Sequence, residues 1–256
     1  MIRLASLLTL AAVTAGMLLV HPSAARADLA AELACTKGLS SAWAKYKACE
    51  AKTLAKTIST NYAKYLAAFA KCQAKYTAMW PKLRAKAVPG SSCDTTRFTD
   101  NGTTVTDNLT RLQWEKKTDD NTVHDKDNTY SLCRNADFDT DCDNPGDPSD
   151  GNAYTVFLTP LNGGGCFAGQ CDWRLPTIDE LQTILLAPYP CGTTPCIDPV
   201  FGPTAASIYW AANIWTEGVI VISDWVNFDG GINGGSVGVN GQRRDFWSVR
   251  AVRGGF

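Results

Sequence analysis

The ten cysteines constrain the fold of this chain more than any other feature of its sequence. Their number is even, and all ten lie after residue 34. Six of them form close pairs that would each close a short loop, so we predict the disulfides Cys133–Cys142, Cys166–Cys171 and Cys191–Cys196. The alternative, a zinc site, is disfavoured because only one histidine, His124, lies in this part of the chain.

The first 27 residues predict export to a compartment in which disulfides persist. A short basic start leads into an apolar run of 17 residues, from Leu4 to Val20. Ala25-Arg26-Ala27 then supplies the small residues that signal peptidase requires, so we expect cleavage before Asp28. An uncleaved anchor is disfavoured, because a membrane span needs about 20 strongly apolar residues. We therefore expect a periplasmic, outer-surface or secreted protein without a transmembrane segment after signal cleavage.

Residues 28–87 predict an α-helical hairpin. Apolar side chains recur every three or four positions in two series, over residues 35–49 and 62–79, and each series forms one stripe on a helix. Residues 57–61 are polar or β-branched, which disfavours a helix interior and predicts the turn between the two helices.

The hairpin geometry suggests how four of the cysteines pair. Residues equidistant from the turn of an antiparallel hairpin face one another, and the midpoint of Cys49 and Cys72 falls inside the predicted turn. Cys35, near the open end, would then meet Cys93 in the linker at residues 88–95. Four cysteines allow three pairings, and this geometry favours Cys49–Cys72 with Cys35–Cys93. The linker and the separate cysteine sets also favour two independently folding units.

The charge of the chain is divided between the two units. Residues 28–86 carry eleven Lys and Arg against three Asp and Glu, a net of +8. Residues 93–256 carry eleven against twenty-two, a net of −11, which the formal net charge of −1 conceals. We interpret the lysine-rich face of the hairpin as a solvated surface. The alternative is docking on an acidic partner such as an envelope polymer or nucleic acid, and we expect no specific nucleic-acid binding.

Residues 96–256 predict an α+β domain. Short runs of β-branched and aromatic residues between turn signals predict strands, at residues 103–106, 112–114, 209–210, 225–228 and 246–252. One helix is expected over residues 153–161. A second helix should begin with a capping box, in which Thr177 is the N-cap and Glu180 the third helical residue, and should run to Pro188.

Several short motifs occur in a fixed order in this region. They are Arg97-Phe98-Thr99-Asp100-Asn101-Gly102, Thr104 to Thr110, Leu112 to Lys117, Phe167-Ala168-Gly169, Asp172-Trp173-Arg174-Leu175-Pro176-Thr177, Glu180-Leu181-Gln182, Tyr209-Trp210 and Val249 to Gly255. Together they resemble the Lcl C-terminal domain family, named for the end domain of a bacterial collagen-like adhesin. The resemblance implies a C-type-lectin-like fold, distantly related to that of the formylglycine-generating enzyme. The Cys-bearing Ala/Lys hairpin also resembles a segment often found ahead of such domains in secreted bacterial proteins.

We interpret the motif residues as structural rather than as ligand contacts. The segment from Asp172 to Thr177 is typical of a strand end followed by a helix start, with Arg174 half-buried against a carboxylate and an aromatic ring. Tyr209 and Trp210 lie on a predicted strand. Arg250 and Arg253 lie on the last one, where an arginine beside aromatic residues more often stacks than binds a ligand.

An acidic loop is the most suggestive stretch for a metal. Carboxylates alternate along it and could converge on calcium, at Asp137, Asp139, Asp141 and Asp143. The spacing does not match an EF-hand, so we prefer a solvated insertion held by Cys133–Cys142, with a calcium site as the alternative. The sugar-binding signatures of C-type lectins are absent from the sequence, so lectin activity does not follow from the implied fold.

These features predict a secreted, non-enzymatic recognition or adhesion-type protein that binds a glycan or protein through its C-terminal domain and requires no cofactor. The alternatives are a structural envelope protein without a small ligand and, less favoured, an enzyme of the formylglycine-generating-like fold. The net charge of −11 argues against a sulfated glycan as the ligand. One set of arginines could still form a local basic patch, namely Arg243, Arg244, Arg250 and Arg253.

Overall fold

The computed structural model describes residues 22–57, 62–89, 91–133, 151–186, 191–217, 220–229, 237–242 and 245–255. The chain forms an α+β structure in which N-terminal helices precede two small antiparallel sheets. Within the described ranges, no helix combines the length and the apolar character needed to cross a membrane.

The predicted hairpin is formed by α1 (Pro22–Thr57) and α2 (Tyr62–Thr77), followed by the short helix α3 (Met79–Arg84). α1 ends and α2 begins beside the predicted turn. Residues 58–61 of this turn lie outside the described residues. Both helices are rich in alanine, which has the highest intrinsic helix propensity.

The predicted apolar stripes of the hairpin face each other. Leu39 and Tyr46 of α1 are almost fully buried, and the ring of Tyr46 stacks on that of Tyr76 in α2 with centroids 4.9 Å apart. Gly38 allows α3 to come close, because a Cβ atom at this position would lie 2.6 Å from Cδ2 of Leu83.

The described disulfides are Cys35–Cys93, Cys49–Cys72, Cys166–Cys171 and Cys191–Cys196, which are the pairs predicted from the sequence. Cys133 is also disulfide-bonded, and its predicted partner Cys142 lies outside the described residues. The linker is fixed to α1 by Cys93 and by a hydrogen bond of 2.8 Å from the Ser92 amide to Glu32.

Strands in the described part of the chain are β1 (Phe98–Asp100), β2 (Thr104–Asp107), β3 (Leu112–Glu115), β4 (Ile208–Glu217), β5 (Ile220–Asn227), β6 (Val237–Gln242) and β7 (Val252–Gly254). One sheet has the order β1-β2-β3-β7 and the other the order β4-β5-β6. In the first sheet Trp114 pairs with Val105 on one side and with Val252 on the other. The end of the chain therefore completes the sheet that begins the C-terminal domain (residues 96–256).

The strand predicted over residues 246–252 is wrong in extent, because only β7 forms a continuous ladder. The preceding residues are extended, but they bond to different segments in turn. Trp247 exchanges backbone hydrogen bonds with Tyr130, and the Ser248 amide donates to the carbonyl of Ile208. This stretch passes between elements rather than along one partner strand.

The two predicted helices of the domain are present. A π-helical turn over Ala153–Leu158 continues into α4 (Thr159–Asn162). The capping box is confirmed at the start of α5 (Ile178–Thr183). This helix ends earlier than predicted, because Leu185 leaves it to bridge Ile197. Pro188, the predicted end, lies outside the described residues.

Three groups of buried side chains hold these elements together. The first is built around Trp114 and Phe201, and the second around Trp173 and Trp210. The third fills the hairpin and includes Leu109, which is fully buried and comes from the connection between β2 and β3. The third group thus joins the hairpin to the C-terminal domain.

Candidate functional site

The structure does not describe several predicted site residues. These are the calcium candidates Asp137, Asp139, Asp141 and Asp143 and the arginines Arg243 and Arg244. A neighbouring acidic group is described, in which carboxylate oxygens of Asp119, Asp125 and Asp127 lie within 4.8 Å of one another. Nζ of Lys126 lies 3.3 Å from Oδ2 of Asp119 and 2.5 Å from that of Asp127.

Asp125 in this acidic group accepts hydrogen bonds from the backbone amides of Asp127, Asn121 and Asp120, which lower the pKa of its carboxyl. Together with Lys126, these donors account for the arrangement of the carboxylates as part of a folded loop.

The family motif at residues 172–177 forms the start of α5. Arg174 donates two hydrogen bonds to the carboxylate of Glu180, at 2.6 and 2.7 Å, and its side chain is 42% exposed. The same carboxylate accepts a hydrogen bond of 2.8 Å from the Thr177 amide to complete the capping box. The predicted carboxylate partner of a half-buried Arg174 is therefore confirmed, and it is Glu180.

The aromatic motif residues are core side chains. Trp173 and Trp210 are buried, and their indole nitrogens donate to the carbonyl oxygens of Phe167 (2.9 Å) and Tyr130 (2.8 Å). Tyr209 is buried in the first core and Leu175 in the second, and Pro176 is also buried.

The arginines of the last strand region also have structural partners. Arg250 is 1% exposed and donates to the carbonyl oxygens of Glu115 (2.7 Å) and Phe201 (3.1 Å). Arg253 lies 2.6 Å from a carboxylate oxygen of the exposed Asp172. Because each guanidinium already has these partners, Arg250 and Arg253 alone do not form the predicted basic patch.

A buried ionic group lies under this region and was not predicted. The ammonium of Lys117 lies 3.1 Å from Oε1 of Glu115, and Nδ1 of His124 lies 2.8 Å from the same oxygen. Burial alone would raise the pKa of the Glu115 carboxyl, but Lys117, His124 and the Ala251 amide hold it below its ordinary value. Burial lowers the pKa of the Lys117 ammonium. The side chains of Glu115 and Lys117 are at most 2% exposed, so neither can reach a ligand.

A pocket of about 80 Å³ lies where the hairpin meets the C-terminal domain. Its lining residues come from α1, the β2–β3 connection, β3, the family motif and the end of β7, namely Trp43, Thr110, Leu112, Arg174, Glu180, Gly254 and Gly255. Pockets for whole drug-sized ligands span about 300–1,000 Å³, so this one is large enough only for the end group of a larger ligand.

The glycines at the rim keep the pocket open. Gly254 and Gly255 have φ angles of +72° and +110°, a region that side-chain-bearing residues rarely adopt. A Cβ atom on Gly255 would lie 3.0 Å from Cδ2 of Leu112, which is one wall of the pocket. The rim thus depends on the glycine pair that follows the last family-motif arginine.

The hairpin supplies the indole wall. Trp43 packs edge-on against Tyr76, with ring centroids 5.6 Å apart, and Nζ of Lys47 lies 5.8 Å from the centroid of the indole. Lys47 in turn forms ion pairs with Glu50 on α1 and Asp179 on α5. No sequence signal pointed to Trp43, because its role depends on the docking of the hairpin.

Further contacts fix the hairpin on the domain. The side-chain amide of Gln73 donates to the carbonyl oxygen of Gln182 at the end of α5. At the open end of the hairpin, Nη2 of Arg111 lies 3.1 Å from the carboxylate of Glu32. The position of Trp43 over the pocket is therefore set by contacts from both helices of the hairpin.

The chemical groups of the pocket suit binding. Both carboxylate oxygens of Glu180 are engaged by Arg174, and one of them also by the Thr177 amide. The cation and the anion therefore compensate each other beside an aromatic face. Such a surface can accept hydrogen-bonding and apolar groups of a ligand.

Residues 234–238 match the Gly-x-Ser-x-Gly pattern of a nucleophile elbow, with Ser236 as the serine. The context is different, because the serine immediately precedes β6, whereas the elbow joins a strand to a helix. Ser236 itself lies outside the described residues.

Comparison with protein families identifies the C-terminal domain. The family model of the Lcl C-terminal domain matches residues 103–253, which include Thr110, Leu112, Arg174 and Glu180 of the pocket. No match was found among curated proteins or among solved structures. Since the family model spans more than half of the sequence, the chain belongs to the Lcl C-terminal domain family.

Proposed function

We propose that this chain is an exported, non-enzymatic recognition protein of adhesin-like type, which binds the end group of a glycan in the pocket between α1 and the C-terminal domain. A protein ligand is the alternative within this proposal. The observation that carries it is the pocket itself, in which Trp43 of the hairpin faces the rigid Arg174–Glu180 pair of the family domain. The C-type-lectin-like fold implied by the family resemblance is part of the proposal.

The composition of the pocket supports a sugar ligand. An aromatic ring offers an apolar face on which a sugar ring can stack, and the guanidinium and carboxylate offer donors and acceptors to its hydroxyl groups. Because Arg174 and Glu180 neutralise each other, the pocket favours an uncharged group. A sulfated glycan is disfavoured by the net charge of −11 from Cys93 onward.

Two further observations support recognition over catalysis. Glu115 and Lys117 are enclosed in the core, and Glu180 is held by Arg174 and the Thr177 amide.

Export is supported by the disulfides together with the apolar N-terminal run, although the signal peptide itself stays a prediction. The proposed binding in this pocket requires no cofactor, and a calcium site at the acidic loop is the alternative.

The experiment is a glycan array probed with the exported chain, with and without EDTA. We expect neutral glycans to bind equally in both conditions and to be recovered unchanged when analysed by mass spectrometry. Binding that EDTA abolishes would assign recognition to calcium rather than to the pocket. A blank array would favour the structural envelope protein, and conversion of a bound glycan would contradict the non-enzymatic assignment.

A further inference from the structure

We propose that the outer face of the hairpin binds duplex DNA through its phosphates, without sequence preference. The outer face is defined by two rows of lysines: Lys45, Lys52 and Lys56 on α1, and Lys71, Lys75 and Lys82 on α2 and α3. All six side chains are exposed, and none of them has an ion-pair partner among the described residues.

The lysines of the two rows that lie on α1 and α2 point away from the C-terminal domain. Lys45 is two positions from Lys47, which contacts Asp179 of the domain. Two positions along a helix correspond to a rotation of about 200°, so Lys45 lies on the opposite side of α1 from Lys47. Lys71 and Lys75 are each two positions from Gln73, which donates to the domain. Since charges are screened over about 8 Å at physiological salt, the acidic domain weakens the potential of this face only partly.

The intervals between the lysines favour a polymer with closely spaced charges. On α1 the steps of seven and four residues correspond to about 10 and 6 Å along the helix, and on α2 the step of four corresponds to about 6 Å. A polymer with one charge per long repeat would have to match these unequal steps. Duplex DNA carries one charge per about 1.7 Å of its axis, so it offers a phosphate to each lysine in any register.

The residues between the lysines exclude two other kinds of partner. On α1 the exposed neighbours of Lys45 and Lys52 are small, including Ala44, Ala48 and Ala51. Unstacked bases of a single strand bind on aromatic side chains, and a bilayer surface requires large apolar residues. Among the described residues, the α1 row therefore offers cations between small side chains, which suits a phosphate backbone whose bases remain paired.

The test is the binding of the exported chain to two 20-base-pair duplexes of unrelated sequence, followed by fluorescence anisotropy. With about six phosphate contacts, the affinity should fall about 1,000-fold between 50 and 200 mM NaCl, equally for both duplexes. The double variant Lys71→Gln/Lys75→Gln should reduce the salt slope by about two and keep its helical circular dichroism.

The matched control is Lys116→Gln/Lys126→Gln, which removes the same charge from the domain, where both lysines are already paired with aspartates. This control should leave the slope unchanged. The proposal is overturned if the chain does not bind DNA at 50 mM NaCl, if the two duplexes differ more than tenfold, or if the control weakens binding as much as the hairpin variant. Binding of polygalacturonate without binding of DNA would also overturn it, in favour of an acidic polysaccharide.

Discussion

Glu50 makes the stability of the docked hairpin depend on pH near neutrality. The residue is 7% exposed, and Oε2 lies 2.7 Å from Nζ of Lys47, which it shares with Asp179 of the domain. Burial, and then the nearby carboxylate of Asp179, raises the pKa of Glu50 from its ordinary 4.5 to about 7, while Lys47 and Tyr46 oppose the change.

The sign of the effect follows from proton binding. An unfolded Glu50 ionises near pH 4.5, whereas the native side chain keeps its proton to about pH 7. Between these values the native state binds more protons, so the free energy of unfolding falls as the pH rises through this window and then becomes constant. At 1.36 kcal/mol per pKa unit the loss has a ceiling of about 3 kcal/mol, and we expect about 1–3 kcal/mol.

Glutamine resembles the protonated acid, so Glu50→Gln should remove this loss. Urea unfolding with intact disulfides should show the variant to be more stable than the wild type by about 1–3 kcal/mol at pH 8, with the difference under about 1 kcal/mol at pH 5. Glu32→Gln is the matched control. Hydrogen bonds from Ser92 lower the pKa of Glu32, so this substitution should instead destabilise the protein at pH 8. Equal stability of the wild type and Glu50→Gln at pH 8, or a difference independent of pH, would refute this reasoning.

Two further predictions concern the fold. Leu109→Ala removes a fully buried side chain from the core that the hairpin and the domain share, so it should cost about 2–5 kcal/mol. Helical circular dichroism and tryptophan fluorescence should then report one transition shifted together, unlike the two independently folding units that the linker and the cysteine sets predict. A shift in only one of the two signals would instead support those independent units. Alkylation of the unreduced chain should label no thiol in an intact-mass measurement, because ten cysteines can form five disulfides. Two or more labelled thiols would contradict the predicted pairing.

The features that the sequence predicted correctly are local ones. Helical spacing places Cys49 opposite Cys72, and the capping box at Thr177 depends only on residues three positions apart. The two helices of the domain and most strands followed from short patterns for the same reason. The length of the last strand was overestimated. A run of apolar and aromatic residues indicates an extended, buried segment, but it does not show whether a single neighbouring strand pairs with the whole segment.

The candidate site could not be predicted because it depends on contacts between distant segments. Trp43 and Arg174 lie 131 positions apart, and only the docking of α1 beside α5 brings them to one pocket. The buried pair of Glu115 and Lys117 was hidden for a similar reason, since charged residues alternating with others on a short strand are usually exposed. What buries them is the return of the chain end across the first sheet.

The most direct test of the account is whether Trp43 contributes to glycan binding. The array should be probed in parallel with the wild type, with Trp43→Leu, which keeps apolar bulk but removes the ring, and with Phe246→Ala, which removes an aromatic side chain that is 60% exposed and lies outside the pocket lining. We predict that Trp43→Leu retains its melting temperature within a few degrees and loses at least tenfold in affinity for every neutral glycan that the wild type binds, whereas Phe246→Ala binds as the wild type does. Unchanged glycan affinity in a folded Trp43→Leu variant would contradict the central claim.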